Sequence, residues 1–213
     1  MTFPSAQLFT DILSPFCSDD ELIQKSFAEI MKNYSDKKRF YHNFSHIENL
    51  LAQLGEFKEM FSDWETVVLA VFYHDVIYNT RKNDNEEKSA MFAAKQLAKL
   101  NFPSARIAKC KRLILATKLH ENVNDNDINL FTDADLSILG SEWETYLAYA
   151  KNIRKEYNLY PDLVYNPGRK KALKHFLDMQ RIFKTEEFFE RHERLARKNL
   201  ECEFRKLEEG ALT

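Results

Sequence analysis

Four Ser-x-x-Glu pairs lie where an apolar pattern with helical spacing begins. They are Ser18/Glu21, Ser45/Glu48, Ser62/Glu65 and Ser141/Glu144. In such a pair the serine can accept a hydrogen bond from a free N–H of the first helical turn, while the glutamate reaches back to the serine N–H. The residues that follow each pair are apolar at three- and four-residue spacing, which is the period of an amphipathic helix. The pairs therefore predict four helix starts.

The composition favours helices over the whole length. Only 4 glycines and 5 prolines interrupt 213 residues, of which 44% are apolar and 30% charged. Such a chain is poor in turn formers and rich in helix formers. We predict an all-α helical bundle that folds as a single domain over residues 1–213, because this length suits one core. Residues 1–38 would form N-terminal helices and residues 141–213 a C-terminal helical extension.

The periodicity predicts further helices between the marked starts. They cover residues 6–13, 85–100, 104–120, 169–183 and 185–207, with a loop at 121–129, a short apolar segment at 130–140 and a proline-bearing connection at 159–168. The helix from Ser62 to His74 is apolar on every side in its second half. A helix of that kind belongs in the centre of a bundle.

The charge pattern argues against several classes of partner. The net charge is -2, and 31 basic and 33 acidic side chains are mixed along the chain, so we expect neither a nucleic-acid polymer nor a membrane surface as partner. The longest apolar run, Val67 to Tyr73, is far shorter than the roughly 20 residues of a membrane helix. Three widely separated cysteines fit free thiols in a reducing compartment. We expect a cytoplasmic protein and leave open whether it forms a homodimer.

Histidines and aspartates stand inside apolar, helix-like segments. His46 lies in or beside the first turn of a helix, where the positive end of the helix dipole favours a neutral and hence ligating imidazole. His74 and Asp75 end the apolar helix, and a carboxylate there needs a positive partner. No Lys or Arg lies between Lys58 and Arg81. These residues indicate a divalent cation, although a capping histidine and a solvated His-Asp pair remain alternatives.

A second pair of carboxylates occurs in TDADLSIL. Asp133 and Asp135 interrupt a segment that is otherwise suited to the core. A spacing of two places them about 200° apart on a helix, so at most one can face the same ion. Asp135 is the predicted ligand, and Asp133 is predicted to cap a helix or to face solvent.

His46, the His74-Asp75 pair and Asp135 together resemble the signature of the HD superfamily of metal-dependent phosphohydrolases. Longer segments are similar to a bacterial branch of that superfamily, whose members are described only as predicted hydrolases. These segments are RFYHNFSHIENLL, FYHDVIYNTRKNDNEEKSA, ATKLH, FTDADLSILG, IRKEY and ARKNLECEF, and they extend from Arg39 to Phe204.

The resemblance implies an HD-type bundle in which His46, His74, Asp75 and Asp135 hold one divalent cation, such as Mn²⁺, Fe²⁺, Ni²⁺, Zn²⁺ or Mg²⁺. Members with two metals carry several histidines between the HD pair and the last aspartate. This chain has only His120 there. The resemblance therefore favours one metal, with Asp75 able to bridge to a second ion.

The expected activity is hydrolysis of a small phosphate ester such as a nucleotide. The candidate catalytic residues are Asp75, His120 and Lys118. Candidates for binding the phosphorylated substrate are His42, Arg39, Glu86 and Arg169. Arg169 follows Asn-Pro-Gly, which predicts a cation at a helix N-terminus, a place suited to anions. For each basic residue, an ordinary solvated surface charge is the alternative.

Two other functions remain open at this point. An HD-type di-iron protein that performs oxygen-dependent oxidation would use the same fold. A non-catalytic helical protein that binds ligands or has a regulatory role would retain the metal without turnover. The single histidine between His74 and Asp135 counts against the first, and the complete four-residue signature counts against the second.

Overall fold

The computed structural model of the protein describes residues 4–210, which contain ten α-helices and no strand. The α-helices are α1 (Pro4–Leu13), α2 (Asp20–Tyr34), α3 (Phe44–Gly55), α4 (Trp64–Tyr73), α5 (Asn85–Lys99), α6 (Ser104–Ala116), α7 (Asn126–Leu136), α8 (Trp143–Glu156), α9 (Asp162–Asp178) and α10 (Glu186–Glu208). Short 3₁₀ helices cover Lys58–Met60 and Ser137–Gly140. The all-α prediction is confirmed.

The chain divides into two compact units, and the boundary lies within α7. The first unit ends at Thr132 and the second begins at Asp133. Among the described residues, no helix combines the length and the apolar character needed to cross a membrane.

The first unit is built around α4. Every side chain from Thr66 to Tyr73 is buried, and α4 contacts α1, α3, α5 and α6. The ring of Phe72 lies 5.5 Å from that of Phe9 and 5.8 Å from that of Phe27. The predicted central position of this helix is therefore confirmed within the unit, and its C-terminal end leads directly to the buried His74 and the partly exposed Asp75.

The start of α4 is fixed by charges from two other helices. Asp63 caps it by accepting from the N–H and the hydroxyl of Thr66, and Arg106 of α6 donates to the same carboxylate. Asp127 of α7 accepts from the backbone N–H groups of Ser62 and Asp63. These bonds satisfy first-turn donors that a helix leaves free. They anchor the N-terminal end of α4 to α6 and α7.

The four helix starts predicted from the Ser-x-x-Glu pairs are correct to within two residues, but the predicted serine caps are wrong. The observed side-chain caps are Asp19, Asn43 and Asp63, and α8 begins without a side-chain cap bond. For the first three helices, an Asp or Asn within two residues of the predicted serine offers an equally strong acceptor and is the one used. The predicted loop at 121–129 is also shorter, because α7 already begins at Asn126.

The second unit contains α8, α9 and α10. Buried polar side chains hold its connections: Glu193 accepts from the backbone N–H groups of Ile182 and Phe183, and Asn199 donates to the carbonyls of Leu139 and Ser141. The predicted connection at 159–168 is wrong, since α9 begins at Asp162 and contains Pro167. One missing N–H is tolerated in the exposed first part of this helix.

Candidate functional site

Three candidate ligands of the first unit converge in space. His46 lies in the first turn of α3, His74 directly follows α4, and Asp75 is the next residue. The Nε2 atoms of His46 and His74 are 3.2 Å apart, and His74 Nε2 lies 3.2 Å from Asp75 Oδ2. The three ligand atoms all lie within 4.8 Å of one another. Both histidines are buried, and 17% of the Asp75 side chain is exposed.

These distances suit ligation of one cation. Two donor atoms that each lie about 2.1 Å from an ion are about 3.0 Å apart at a right angle and about 3.4 Å apart in tetrahedral geometry. Both distances of 3.2 Å fall between these values. Imidazole and carboxylate are also the ligands that Zn²⁺, Fe²⁺, Ni²⁺ and Mn²⁺ accept together. The cluster could therefore hold a divalent cation without a change in the distance from His74 Nε2 to His46 Nε2 or to Asp75 Oδ2.

A hydrogen bond to the backbone fixes which nitrogen of His74 faces the cluster. His74 Nδ1 lies 2.8 Å from the carbonyl oxygen of Val71. A carbonyl only accepts, so Nδ1 must carry the proton, and the neutral ring keeps a lone pair on Nε2. Metal-binding histidines usually have such a partner on the other nitrogen. The hydrogen bond to the last turn of α4 thus leaves the lone pair of His74 Nε2 facing the cluster.

Arg39 holds the backbone of the cluster. Its Nη1 donates to the carbonyl oxygens of Asp75 at 2.6 Å and His42 at 3.2 Å, and its Nη2 donates to that of Val76 at 3.1 Å. The guanidinium is buried and lies 5.0 Å from the ring centre of Tyr34. We expected Arg39 to contact phosphate. The structure instead gives these donors to the backbone, so Arg39 positions Asp75.

Tyr34 adds a second contact to the same backbone. Its hydroxyl accepts from the N–H of Asp75 at 3.2 Å. Neither Tyr34 nor this use of Arg39 was indicated by the sequence. The available signal was weak: a basic residue directly before FYHNFSH is equally compatible with a surface charge.

His42 lies beside the cluster, although it precedes α3. Its Nε2 is 4.0 Å from Asp75 Oδ2, and its ring stacks on Tyr78 with the centres 4.3 Å apart. Tyr41 contacts both histidines of this segment, with its ring 5.0 Å from those of His42 and His46. Tyr41 and Tyr78 thus both contact His42, whereas Tyr73 is fully buried in the core.

Glu86 interacts electrostatically with both Asp75 and Lys118. Burial raises the pKa of the Glu86 carboxyl, and the charge of Asp75 raises it further while Lys118 lowers it. The ammonium group of Lys118 pairs with Glu87 and donates to the carbonyl of Asn83 at 2.8 Å. The bond to Glu87 raises the pKa of Lys118, which therefore stays cationic at neutral pH.

His120 lies in the turn that follows α6. Its backbone has a φ of 53°, in the left-handed region, and its N–H donates to the carbonyl of Ala116 at 3.0 Å. Its predicted catalytic role stays a prediction.

The two aspartates of α7 belong to the second unit. Asp133 is fully buried and accepts from the backbone N–H groups of Lys184 and Thr185, while its carboxylate pairs with Lys184 Nζ at 3.2 Å. We expected Asp133 to cap a helix or to face solvent. It does not face solvent, because its side chain is buried and binds the backbone just before α10. Asp135 is half-buried, and its charge acts on Lys184. Its predicted role as fourth ligand stays a prediction.

The placement predicted for Arg169 is wrong. It lies two turns inside α9 rather than at a helix N-terminus, because that helix already begins at Asp162. Its guanidinium forms a double hydrogen bond with the buried carboxylate of Glu203, at 2.7 and 2.9 Å. Arg169 is thus a buried partner within the second unit, and its predicted phosphate contact has no support from its position.

Comparison with known proteins finds no matching family model, no matching curated protein and no matching solved structure. The resemblance to the HD superfamily therefore stays an expectation from the sequence segments given above.

Proposed function

We propose that this protein is a metal-dependent phosphohydrolase that acts on small phosphate esters, with His46, His74 and Asp75 as ligands of a divalent cation. The observation that supports this most is the convergence of the three donor atoms, with 3.2 Å between neighbours. Asp135 is the proposed fourth ligand. Three free cysteines fit the cytoplasm as the proposed location.

A divalent cation bound there would polarise a phosphate oxygen and lower the pKa of water. The protein itself contributes orientation. The Val71 carbonyl keeps the proton of His74 on Nδ1, so that Nε2 stays available as a donor. Arg39 and Tyr34 hold the backbone of Asp75, which keeps its carboxylate beside His74.

The surroundings of Asp75 support an anionic substrate. Lys118 is a permanent cation whose charge acts on Glu86, and Glu86 in turn acts on Asp75. In the proposed reaction a water oxygen forms the new bond to phosphorus and gives a proton to Glu86 or Asp75, the bond from phosphorus to the ester oxygen breaks, and that oxygen takes up the proton. Lys118 moves from Glu87 to a phosphate oxygen and balances its charge. His42, 4.0 Å from Asp75, would contact the ester.

Phosphate release provides the test. The protein is freed of metal by a chelator, loaded with Mn²⁺, and assayed against p-nitrophenyl phosphate and a set of nucleoside monophosphates. We expect release that depends on Mn²⁺ and falls by at least about 100-fold in Asp75→Asn. His175→Gln is the matched control, because His175 is an exposed histidine of α9.

Two results would contradict the proposal. One is phosphate release by Asp75→Asn equal to that of the parent protein. The other is a metal-loaded, folded protein that is inert towards every ester, and oxygen uptake by that protein would favour the oxidative alternative. Far-ultraviolet circular dichroism of each variant checks that the helices are intact.

A further inference from the structure

The second unit contains a cavity that the proposed hydrolase site does not use. It has a volume of about 580 Å³ and is lined by residues of α8, α9 and α10. Its apolar wall includes Ala150, Tyr165 and Leu207, all of them buried. Ligand cavities in proteins commonly have volumes of about 300–1,000 Å³ and largely apolar walls. The cavity therefore has the size and the lining of a site for a small organic molecule.

One side of the cavity is a buried charged pair. Glu203 lines it and is 2% exposed, and its carboxylate accepts two hydrogen bonds from Arg169 and one from the hydroxyl of Tyr146. A carboxylate with three such donors is fixed in position and its charge is matched. This side is therefore rigid, and it does not require a cationic ligand.

A second charged pair fixes the aromatic wall. The Nε and Nη2 atoms of Arg154 donate to Asp162 Oδ1 at 3.0 and 2.7 Å. The same guanidinium lies over the ring of Tyr165, 4.7 Å from its centre. All three residues line the cavity. The guanidinium thus fixes the ring, which contributes part of the apolar lining of the cavity.

The lining has an excess of positive charge. It contains three cations, Lys151, Arg154 and Lys155, against two carboxylates, Asp162 and Glu203. Arg169, behind Glu203, increases the excess. Both lysines are exposed, and Lys155 Nζ also donates to Asn152 Oδ1 at 3.3 Å, so two positive charges lie on the solvent-facing side of the cavity. An anionic group would be favoured there over a cationic one.

We propose that this cavity binds a small organic anion with a flat apolar body. The body would lie against Tyr165, Leu207 and Ala150, and the anionic group would face Lys151 and Lys155. This proposal is independent of the metal cluster and of phosphate hydrolysis.

Two fluorescent probes that share an aromatic frame test the anionic preference. Anilinonaphthalene sulfonate carries the charge, and N-phenylnaphthylamine lacks it. We expect the folded protein to bind the sulfonate more tightly. The double variant Lys151→Gln/Lys155→Gln should weaken sulfonate binding about fivefold or more and leave the neutral probe unchanged. Lys171→Gln, an exposed lysine of α9 outside the cavity, is the matched control and should bind both probes normally.

Two further variants locate the bound probe. Ala150→Leu fills part of the cavity and should weaken binding of both probes, while circular dichroism shows intact helices. Leu163 is 88% exposed and does not line the cavity, so Leu163→Ser should have no effect. Loss of binding in Leu163→Ser with retention in Ala150→Leu would place the probe on the exposed surface and overturn the proposal. Equal sulfonate affinity in the parent protein and the double lysine variant would also overturn it.

Discussion

Replacement of Arg39 by lysine should weaken cation binding although the positive charge remains. Arg39 donates to three backbone carbonyls, those of His42, Asp75 and Val76, at 2.6 to 3.2 Å. A single ammonium group cannot reproduce this planar fork, so we expect at least one of the buried carbonyls to lose its donor. Each charged hydrogen bond contributes about 1.5–3 kcal/mol. Because such losses are not additive, we expect a decrease of about 2–4 kcal/mol in the free energy of unfolding.

The Kd for Mn²⁺ of Arg39→Lys shows whether Arg39 positions the metal ligands or only stabilises the fold. Residues that orient metal ligands change metal affinity by about 10–100-fold when they are replaced. We therefore expect the Kd for Mn²⁺ to rise by about tenfold or more in Arg39→Lys. The measurement is calorimetric titration at a temperature where circular dichroism shows the variant to be folded. Arg112→Lys, at an exposed position of α6, is the control.

Arg39→Lys also distinguishes two roles for this residue. If Arg39 contacts phosphate, as the sequence suggested, the variant should show a higher KM for the ester and an unchanged Kd for Mn²⁺. If it holds the backbone of Asp75, the Kd for Mn²⁺ should rise. An unchanged Kd in a folded variant would refute the positioning role, whatever happens to stability.

Four further predictions concern stability. Tyr73→Phe should leave the urea midpoint unchanged or raise it, because the buried Tyr73 hydroxyl has no hydrogen-bond partner within residues 4–210. Tyr146→Phe should cost about 1–3 kcal/mol, because its hydroxyl donates to a buried carboxylate, and the opposite order of the two variants would contradict this reasoning. Burial raises the pKa of Asp127, but hydrogen bonds, chiefly from Lys109, hold that pKa below its usual range. The ionised Asp127 therefore stabilises the folded protein above about pH 4, and this stabilisation is lost as the pH falls through the lowered pKa. Unfolding of Asp127→Asn should therefore differ from the parent at pH 7 and converge with it in acid; a constant difference would argue against this. Gly140→Ala should lower the thermal midpoint, at a cost of about 1–3 kcal/mol, because a Cβ there would lie 2.5 Å from the Cβ of His192; an unchanged midpoint would contradict the close approach.

The sequence was most informative where a local pattern decides the structure. The run around Val67 to Tyr73 predicted a buried central helix, and α4 is that helix. The same apolar context identified His74 and Asp75 as residues in need of a partner, and His46 lies next to His74 in the first unit.

The sequence was least informative about partners that are distant along the chain. Asp133 looked like a capping or exposed residue because only one of Asp133 and Asp135 can face the same ion, yet it pairs with Lys184, fifty-one residues later. Arg169 looked like an anion site because Asn-Pro-Gly suggests a break, but α9 begins at Asp162 and continues through Pro167. Arg39 offers the same lesson, since its acceptors are backbone carbonyls, which leave no signal in the sequence.

The central claim is that His46, His74 and Asp75 hold one divalent cation. Calorimetric titration of chelator-treated protein with Mn²⁺ tests it most directly, with His46→Gln and His74→Gln as variants and His175→Gln as control. We predict saturable binding to the parent and the control, severe loss in the two cluster variants, and about 2.7 kcal/mol of added stability at a free Mn²⁺ concentration of about 100 times Kd. Binding of equal strength in parent, His46→Gln and His74→Gln would contradict the account.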